Sequence, residues 1–236
     1  MDWTRYDAAL FDLDGVITPT AEVHMRAWSR MFTDFLQKHG DPKPYTDADY
    51  FAYVDGKPRY DGVRSLLASR GIKLPDGSPD DPSSAETVCG LGNRKNDTFE
   101  QVLRDEGVQA YPGSVALVQA LLARGTKMAI VSSSQNARAV LGAAGIIDDF
   151  PVIVDGRVAV AEGLAGKPAP DTFLRAAEML GVPKERAVVF EDAVSGVQAG
   201  HAGHFGLVVG VDRGAGAETL KSHGADIVVP DLEELL

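Results

Sequence analysis

Short apolar runs alternate with helix-length segments along most of this chain, and this alternation limits the folds open to it. The runs are rich in Val and Ile and have the length of buried strands. The segments between them repeat apolar residues at helical spacing, and several end at or near a glycine. This order predicts an α/β fold: a doubly wound parallel sheet with helices on both faces. We predict strands at residues 8–11, 128–131, 187–190, 207–211 and 227–229, and helices at 114–124, 136–144, 171–180 and 194–202.

Two other regions have different patterns. Asp155-Gly156 lies between Val-rich arms, which predicts a small hairpin over residues 152–160.

From about residue 21 to residue 108 no pair of strand-like runs occurs, so we expect an all-helical cap domain inserted after the first strand. Its helices are predicted at residues 21–39, 61–69 and 84–103, the last starting at a capping box of Ser83 and Glu86. The expected domains are residues 1–17 with 109–236 for the α/β core, and residues 18–108 for the cap.

Charge and cysteine content exclude several classes of partner. The 236 residues hold 23 Lys and Arg against 34 Asp and Glu, a net charge of -11. Nucleic acid and anionic membranes bind basic surfaces, so we expect neither as a partner. The single cysteine, Cys89, fits a reducing compartment and is interpreted as a small semi-buried thiol. With neither a secretory segment nor a membrane-length apolar run, we expect a cytoplasmic monomer.

Two carboxylates follow the first predicted strand. Side chains two residues apart on an extended segment point to the same side, so Asp12 and Asp14 project together, and Gly15 allows a sharp turn after them. Taken alone, this pattern fits an ordinary acidic strand end equally well.

Polar residues also follow the other predicted strands. Ser132 and Ser133 come directly after one strand, Glu191-Asp192 after another, and Lys167 lies between Gly166 and Pro168 ahead of a helix. In an open α/β sheet, ligands bind outside the carboxyl ends of the strands. Carboxylates facing a hydroxyl and a lysine suit a hard divalent cation, Mg²⁺, and a phosphoryl group. A carboxylate can then attack phosphorus, because the cations offset the repulsion between two anions.

These stretches together resemble a known family. Asp12-Leu13-Asp14-Gly15-Val16, Val131-Ser132-Ser133-Ser134, Lys167-Pro168 and Phe190-Glu191-Asp192 are similar to the four ordered motifs of the haloacid dehalogenase superfamily. The inserted segment resembles the helical cap of its β-phosphoglucomutase-like branch. Residues 18–28 resemble the cap entry, residues 55–59 the substrate-specificity loop that includes Gly56, and residues 93–97 the lysine motif of the cap.

The resemblance implies a role for each residue of the core site. Asp12 is expected to be the nucleophile that forms an aspartyl phosphate, and Asp14 the general acid and base. The expected Mg²⁺ ligands are Asp12, the backbone carbonyl of Asp14, and Asp192, with Glu191 as a ligand or supporting partner. The transferring phosphoryl group is expected to bind Ser132, the amide of Ser133, Asn136 and Lys167.

For the cap, the resemblance implies that Arg59 and Lys95 bind the distal phosphate and that His24 has a hydrogen-bonding role, while Trp28 is expected to pack inside the cap. Lys57, Arg26 and Arg94 are interpreted as solvated charges or helpers.

Pro19 departs from the family pattern, which has an acidic residue at this hinge position. Proline fixes φ and removes a donor, which bears on mutase efficiency and not on phosphoryl transfer itself.

The resemblance implies a phosphomutase that interconverts β-D-glucose 1-phosphate and glucose 6-phosphate through a hexose bisphosphate, in disaccharide catabolism. The main alternative is a phosphatase that uses the same aspartate on a small phosphorylated metabolite. A receiver-type signalling module fits less well, because it needs only about half this length and has no use for the cap. A nicotinamide-binding dehydrogenase is excluded, because no G-x-G-x-x-G follows the first strand.

Overall fold

Six parallel strands form one sheet in the order β3-β2-β1-β4-β5-β6. The computed structural model describes residues 1–236. This strand order reverses direction between β1 and β4, which is the switch point where open α/β sheets bind ligands. The α/β class with a parallel sheet is therefore confirmed. The strands are β1 Ala8–Phe11, β2 Lys127–Val131, β3 Val152–Val154, β4 Ala187–Glu191, β5 Leu207–Val211 and β6 Ile227–Val229.

Ten α-helices complete the chain. Most of the predicted helices are present within one or two residues of the expected limits, while two short helices had no clear signal in the sequence. These are α2 and α10, seven and six residues long. The helices are α1 Thr20–Lys38, α2 Asp47–Tyr53, α3 Arg59–Ser69, α4 Val88–Glu106, α5 Pro112–Ala123, α6 Ala137–Ala143, α7 Gly156–Glu162, α8 Asp171–Leu180, α9 Val194–Ala202 and α10 Ala217–Ser222.

The chain divides into two units, which we call the sheet unit and the helical unit. The sheet unit comprises Met1–Thr20 and Val108–Leu236, and the helical unit comprises Ala21–Gly107. The sheet unit contains all six strands. The helical unit contains α2, α3, α4 and nearly all of α1.

The centre of the sheet unit lies around β1 and β4. Every side chain of both strands is buried, as expected where helices cover both faces of a parallel sheet. Phe11 is in register with Phe190, and their rings stack with centroids 4.5 Å apart. The backbone N–H of Asp12 continues this pairing by donating to the carbonyl of Phe190 at 2.9 Å. Asp12, directly after β1, therefore lies beside Glu191, the last residue of β4.

The helical unit has its own apolar core, in which aromatic side chains predominate. Trp28 and Phe32 of α1 stack at 5.3 Å, and Phe32 stacks on Tyr45 at 5.2 Å. Arg70, whose side chain is 8% exposed, pairs with Asp41 at 3.3 Å and with Asp49 at 3.0 Å. These two ion pairs of Arg70 hold the turn between α1 and α2 in place. Trp28 packs inside this unit as expected.

The hairpin predicted over residues 152–160 is wrong. Only its first arm is a strand, β3, and the second arm is the helix α7. The side chain of Asp155 accepts hydrogen bonds from the N–H groups of Arg157 and Val158, both at 3.0 Å, so it caps this helix instead of forming a turn. A Cβ at Gly156 would lie 2.7 Å from the carbonyl oxygen of Ser133, which explains the glycine.

The start of the helix predicted over residues 84–103 is also wrong. The helix α4 begins at Val88, and its N-cap is Thr87, whose hydroxyl accepts from the N–H of Gly90 at 2.9 Å. Ser83 and Glu86 have the spacing of a capping box, but the residues before Thr87 form an irregular loop that packs on the helix.

Candidate active site

Asp12 and Asp14 lie directly beyond β1, at the carboxyl edge of the sheet. Gly15, which follows them, has a φ of +95°, and a Cβ there would lie 1.9 Å from a carboxylate oxygen of Asp192. Only glycine fits this turn without displacing Asp192. The turn therefore brings the end of β1 against the residue that follows β4.

Lys167 forms the ionic centre of the site. Its Nζ donates to Oδ1 of Asp12 at 2.5 Å, to Oε1 of Glu191 at 2.6 Å, and to the carbonyl of Val131 at 3.0 Å. The three donors of the ammonium group thus have three oxygen acceptors. Since the side chain of Lys167 is 1% exposed, the lysine is not the solvated surface charge that its local sequence alone would suggest.

Burial and charge act in opposite directions on these groups. Burial raises the pKa of Asp12 well above its usual range, the nearby Glu191 and Asp14 raise it further, and Lys167 opposes them. Burial alone would lower the pKa of Lys167, but the two carboxylates outweigh it and raise that pKa. Lys167 is therefore a permanent cation at neutral pH.

Asp12, Glu191 and Asp192 form a buried acidic cluster whose carboxylate oxygens lie within 4.8 Å of one another. Three carboxylates facing one ammonium group leave an excess of negative charge in a buried place, which is costly unless another cation binds. An all-oxygen donor set suits a hard divalent cation. The cluster can therefore hold a metal ion.

Both carboxylate oxygens of Glu191 have hydrogen-bond donors. One of its oxygens accepts from Lys167, and the other accepts from the backbone N–H of Ala193 at 2.9 Å. A Cβ at Gly196 would lie 1.7 Å from the same carboxylate, so the first turn of α9 leaves room for Glu191 only because this residue is glycine. Glu191 positions Lys167 and adds charge to the cluster.

The carboxylate of Asp14 lies among hydroxyl groups. Oδ1 accepts a short hydrogen bond from Thr20, and Oδ2 accepts from Ser132 at 3.4 Å. The hydroxyl of Thr20 is in turn 2.8 Å from that of Thr18. The side chain of Asp14 is not one of the three in the acidic cluster. The structure thus separates the two aspartates of the motif: Asp12 contacts Lys167, and Asp14 contacts hydroxyls.

The residues predicted to bind the transferring phosphoryl group lie at the end of β2 and before α6. The hydroxyl of Ser132 accepts from the backbone N–H of Ser134 at 3.0 Å. Ser133 lies in the same loop, and Asn136 is the buried residue that precedes α6. The structure brings Ser132 to Asp14 and Lys167 to Asp12. Binding of phosphate by Ser132, Ser133, Asn136 and Lys167 stays a prediction.

A second buried lysine, Lys95, lies in the helical unit. Its ammonium group makes a short contact with Nδ1 of His24 and lies 5.1 Å from the ring centroid of Trp28 and 5.0 Å from that of Phe99. An ammonium group can only donate, so Nδ1 of His24 is the acceptor in this contact. His24 also stacks on Phe99, with centroids 4.0 Å apart.

Arg59 is the first residue of α3, and two asparagines of α4 hold its guanidinium. One terminal nitrogen donates to Oδ1 of Asn96 at 2.6 Å, and the other donates to Oδ1 of Asn93 at 3.4 Å. Gly56, three residues earlier, has a φ of +68° and forms the turn between α2 and α3. The distal-phosphate role of Arg59 and Lys95 stays a prediction, as do the roles of Gly56 and His24.

Two of the charges interpreted as solvated have internal partners. Nζ of Lys57 donates to the carbonyl of Tyr53 at 3.0 Å and to the hydroxyl of Ser65 at 2.9 Å, and burial lowers its pKa. Nε of Arg94 donates to the carbonyl of Ser83 at 2.7 Å. Both residues are therefore structural, because they hold loops of the helical unit.

Sequence reasoning missed Arg213, which supports the turn after Asp14. Nε of Arg213 donates to the carbonyl of Gly15 at 3.0 Å, and its guanidinium lies 4.0 Å from the ring centroid of Tyr111. Another nitrogen donates to the carbonyl of Pro230 at 3.0 Å. Gly15 and Arg213 are 198 residues apart in the chain, so no local pattern could have linked them. Thr20 was also missed, although it lies in the stretch that resembles the cap entry.

Comparison with known proteins agrees with this fold and shows the family of the chain. The haloacid dehalogenase-like hydrolase family matches residues 6–204, and the chain belongs to this family. A beta-phosphoglucomutase of Mycobacterium tuberculosis is 54% identical over 238 residues, which cover 97% of this chain and 91% of that protein. A beta-phosphoglucomutase of Bacillus subtilis is 34% identical over 230 residues, covering 97% of this chain and 91% of that protein.

A solved structure gives the same result for the fold. The beta-phosphoglucomutase of Clostridium difficile superposes with a TM-score of 0.78 at 26% identity, covering 98% of this chain and 93% of that one. The chain is an enzyme of the phosphoryl-transferring, isomerase type, and the expected resemblance is confirmed. None of its helices has both the length and the apolar character that crossing a membrane requires.

Proposed function

We propose that this chain is a Mg²⁺-dependent phosphomutase that interconverts β-D-glucose 1-phosphate and glucose 6-phosphate. The observation that carries the proposal is the contact of Asp12 with Lys167 beside Asp192, at the switch point of the sheet. The 54% identity to proteins named beta-phosphoglucomutase supports the sugar, since that similarity covers 97% of the chain and includes the helical unit.

Asp12 is the proposed nucleophile. One carboxylate oxygen of Asp12 attacks phosphorus, the bond between phosphorus and the sugar oxygen breaks, and Asp14 gives a proton to that leaving oxygen. In the second half-reaction the C6 hydroxyl of β-D-glucose 1-phosphate attacks the aspartyl phosphate, the bond between phosphorus and Asp12 breaks, and Asp14 accepts the proton of that hydroxyl, which forms the bisphosphate again. The hydroxyl groups around Asp14 support this role, because they can orient its carboxyl group in either protonation state.

The acidic cluster supports a Mg²⁺ ion as cofactor. Asp12, the backbone carbonyl of Asp14, and Asp192 would hold the ion, with Glu191 adding charge behind them. Bound there, Mg²⁺ would neutralise negative charge on the phosphoryl group and on Asp12. Lys167, Ser132, the amide of Ser133 and Asn136 would bind the phosphoryl oxygens.

Residues 18–108 are proposed as a cap domain that distinguishes a sugar bisphosphate from a simple ester. Arg59 and Lys95 would bind the phosphate that does not react, since a planar guanidinium matches phosphate geometry. His24 would keep Lys95 oriented through its imidazole, and Gly56 would give the preceding loop its turn.

A phosphatase is the second candidate, and the family description itself favours it. The family is named for hydrolases, and the same aspartate would serve both reactions. The two functions differ in how long the aspartyl phosphate survives before water attacks it.

One assay separates these two functions. The enzyme is incubated with Mg²⁺, β-D-glucose 1-phosphate and a trace of β-glucose 1,6-bisphosphate, and glucose 6-phosphate and inorganic phosphate are followed in parallel. A mutase forms glucose 6-phosphate with little release of phosphate. Release of phosphate without glucose 6-phosphate would contradict the mutase and support the phosphatase, and formation of neither product would exclude this sugar.

A further inference from the structure

The loop before α4, residues 75–87, is anchored to the helix along its length; we call it the anchor loop. The backbone N–H groups of Val88 and Cys89, which begin α4, donate to the carbonyls of Pro75 and Asp76, each at 3.0 Å. A Cβ at Gly90 would lie 2.4 Å from the carbonyl oxygen of Ala85, so the loop packs directly on the first turn of the helix. Residues 75–80 are exposed, and these contacts attach the loop to the helical unit.

Asn93 connects this loop to Arg59. Its side-chain nitrogen donates to the carbonyls of Pro79 and Asp81, at 3.0 Å and 2.9 Å. Its side-chain oxygen accepts from Arg59 at 3.4 Å and from the hydroxyl of Tyr60 at 3.0 Å. All four contacts belong to one amide group, with donors on one side and the acceptor on the other.

The anchor loop fixes which way this amide points. If the amide of Asn93 were reversed, its oxygen would meet two carbonyl oxygens, and its NH₂ group would meet the donors of Arg59 and Tyr60. The oxygen could then form no hydrogen bond, and the NH₂ group could donate only to the hydroxyl of Tyr60, so the contact with Arg59 would be lost. The two loop carbonyls therefore determine that an acceptor faces the guanidinium.

The two amide oxygens that accept from Arg59 are uncharged, which matters for its attraction to an anion. Asn93 and Asn96 each receive one terminal nitrogen of the guanidinium, and both are uncharged. A carboxylate in either position would hold the group as well but would cancel much of its attraction for an anion. Two amide oxygens restrict the side chain and, being uncharged, do not themselves cancel its positive charge. A Cβ at Gly92 would lie 2.8 Å from the ring of Tyr60 and 3.1 Å from the stem of Arg59, so this packing also depends on glycine.

We propose that Asn93 is a positioning residue for Arg59, oriented by the anchor loop, and that it thereby sets the affinity of the enzyme for a sugar bisphosphate. This inference rests on the proposed function, in which Arg59 binds the phosphate that does not react. Asn93 acts through Arg59 and does not itself touch the substrate.

The test compares Asn93 with a matched neighbour. Asn93→Ala removes the acceptor, and Asn93→Asp keeps an acceptor but opposes the two loop carbonyls and adds a charge beside Arg59. We expect each to raise the KM for β-glucose 1,6-bisphosphate about tenfold, while kcat falls by a smaller factor. Arg94→Met is the control, because Arg94 anchors the same loop through Ser83 without contacting Arg59. It should lower the melting temperature and change this KM less than about twofold.

A double-mutant cycle with Arg59→Ala completes the experiment. If Asn93 acts through Arg59, Asn93→Ala should change the KM less than about twofold in the Arg59→Ala background. A full effect in that background, or equal KM effects of Asn93→Ala and Arg94→Met, would overturn the positioning role while leaving the proposed function standing. If Arg59→Ala alone leaves the KM unchanged, the distal-phosphate role in the proposed function is wrong and the role of Asn93 falls with it.

Discussion

Each unit of this protein contains a buried lysine, and the two lysines have opposite surroundings. Lys167 of the sheet unit is bound by two carboxylates and a backbone carbonyl at 2.5 to 3.0 Å. Lys95 of the helical unit lies against the imidazole of His24 and the rings of Trp28 and Phe99. The contacts of the first lysine include two carboxylates, and those of the second include three rings.

This difference suggests that the two buried lysines have different roles. A lysine paired with carboxylates keeps a nucleophile in place and compensates its charge, so its main effect is on the reacting group. A lysine held by rings and an imidazole keeps more of its attraction for an external anion. The same residue type can therefore organise chemistry in one place and recognise a ligand in another.

The largest expected effect comes from Asp12→Asn. An amide oxygen is a far weaker nucleophile than a carboxylate, so we expect turnover to fall by at least about 10⁴-fold. The variant should fold and bind Mg²⁺ weakly, which a melting curve with and without Mg²⁺ would show. Turnover within tenfold of the wild type would rule out Asp12 as the nucleophile.

Lys167→Met should have the next largest effect, on stability. It leaves Asp12 and Glu191 buried without their cation, which costs about 3–5 kcal/mol when both carboxylates are charged. Unfolding in urea at neutral pH measures this loss. Adding Glu191→Gln to Lys167→Met removes one of the uncompensated charges and should recover part of the stability. No recovery in the double variant would mean that charge is not the cause.

The pH dependence of the Mg²⁺ effect tests the raised pKa of Asp12. Burial raises this pKa in the metal-free protein above the ordinary value of 3.8, so the folded state binds the proton more tightly than the unfolded state. The stability of the metal-free protein should therefore fall as pH rises from about 4 through the raised pKa. Since protons compete with the metal for the same carboxylate, the increase in melting temperature that Mg²⁺ produces should grow over that range.

The natural control for this titration is Asp12→Asn, which lacks the competing carboxylate. Its stabilisation by Mg²⁺ should be smaller than in the wild type and vary less with pH. A wild-type Mg²⁺ effect that stays constant over the pH range in which the metal-free protein loses stability would contradict the raised pKa of Asp12.

The sequence predicts the sheet unit better than the helical unit, for physical reasons. Buried parallel strands are continuous apolar runs, and their carboxyl ends meet at one edge, so the sequence alone is enough to group Asp12, Glu191 and Asp192. Lys167 precedes α8 and does not follow a strand, so this rule does not place it. The hairpin error at Asp155-Gly156 arose because a dipeptide typical of turns can equally begin a helix.

The support of Arg59 could not be predicted in the same way. It depends on the orientation of the amide of Asn93, which two backbone carbonyls of an irregular loop determine. No periodicity encodes such contacts. Arg213 is a similar case, since its acceptor is a single backbone carbonyl far away in the sequence.

The smallest expected effect on stability is that of Lys95→Met, and it is the most direct test of the comparison between the two lysines. Methionine has a similar length and packs well against aromatic rings, so the lost cation–π contacts are offset by the burial of an apolar chain, while Nδ1 of His24 loses its donor. We expect the free energy of unfolding to fall by about 1–2 kcal/mol, against the larger loss expected for Lys167→Met. The KM for β-glucose 1,6-bisphosphate should rise, because in the proposed function Lys95 binds the distal phosphate. Urea unfolding and steady-state kinetics on the same preparation measure both quantities. A loss of stability equal to that of Lys167→Met would show that Lys95 also compensates fixed anions. The hypothesis that the two lysines have different roles would then be wrong.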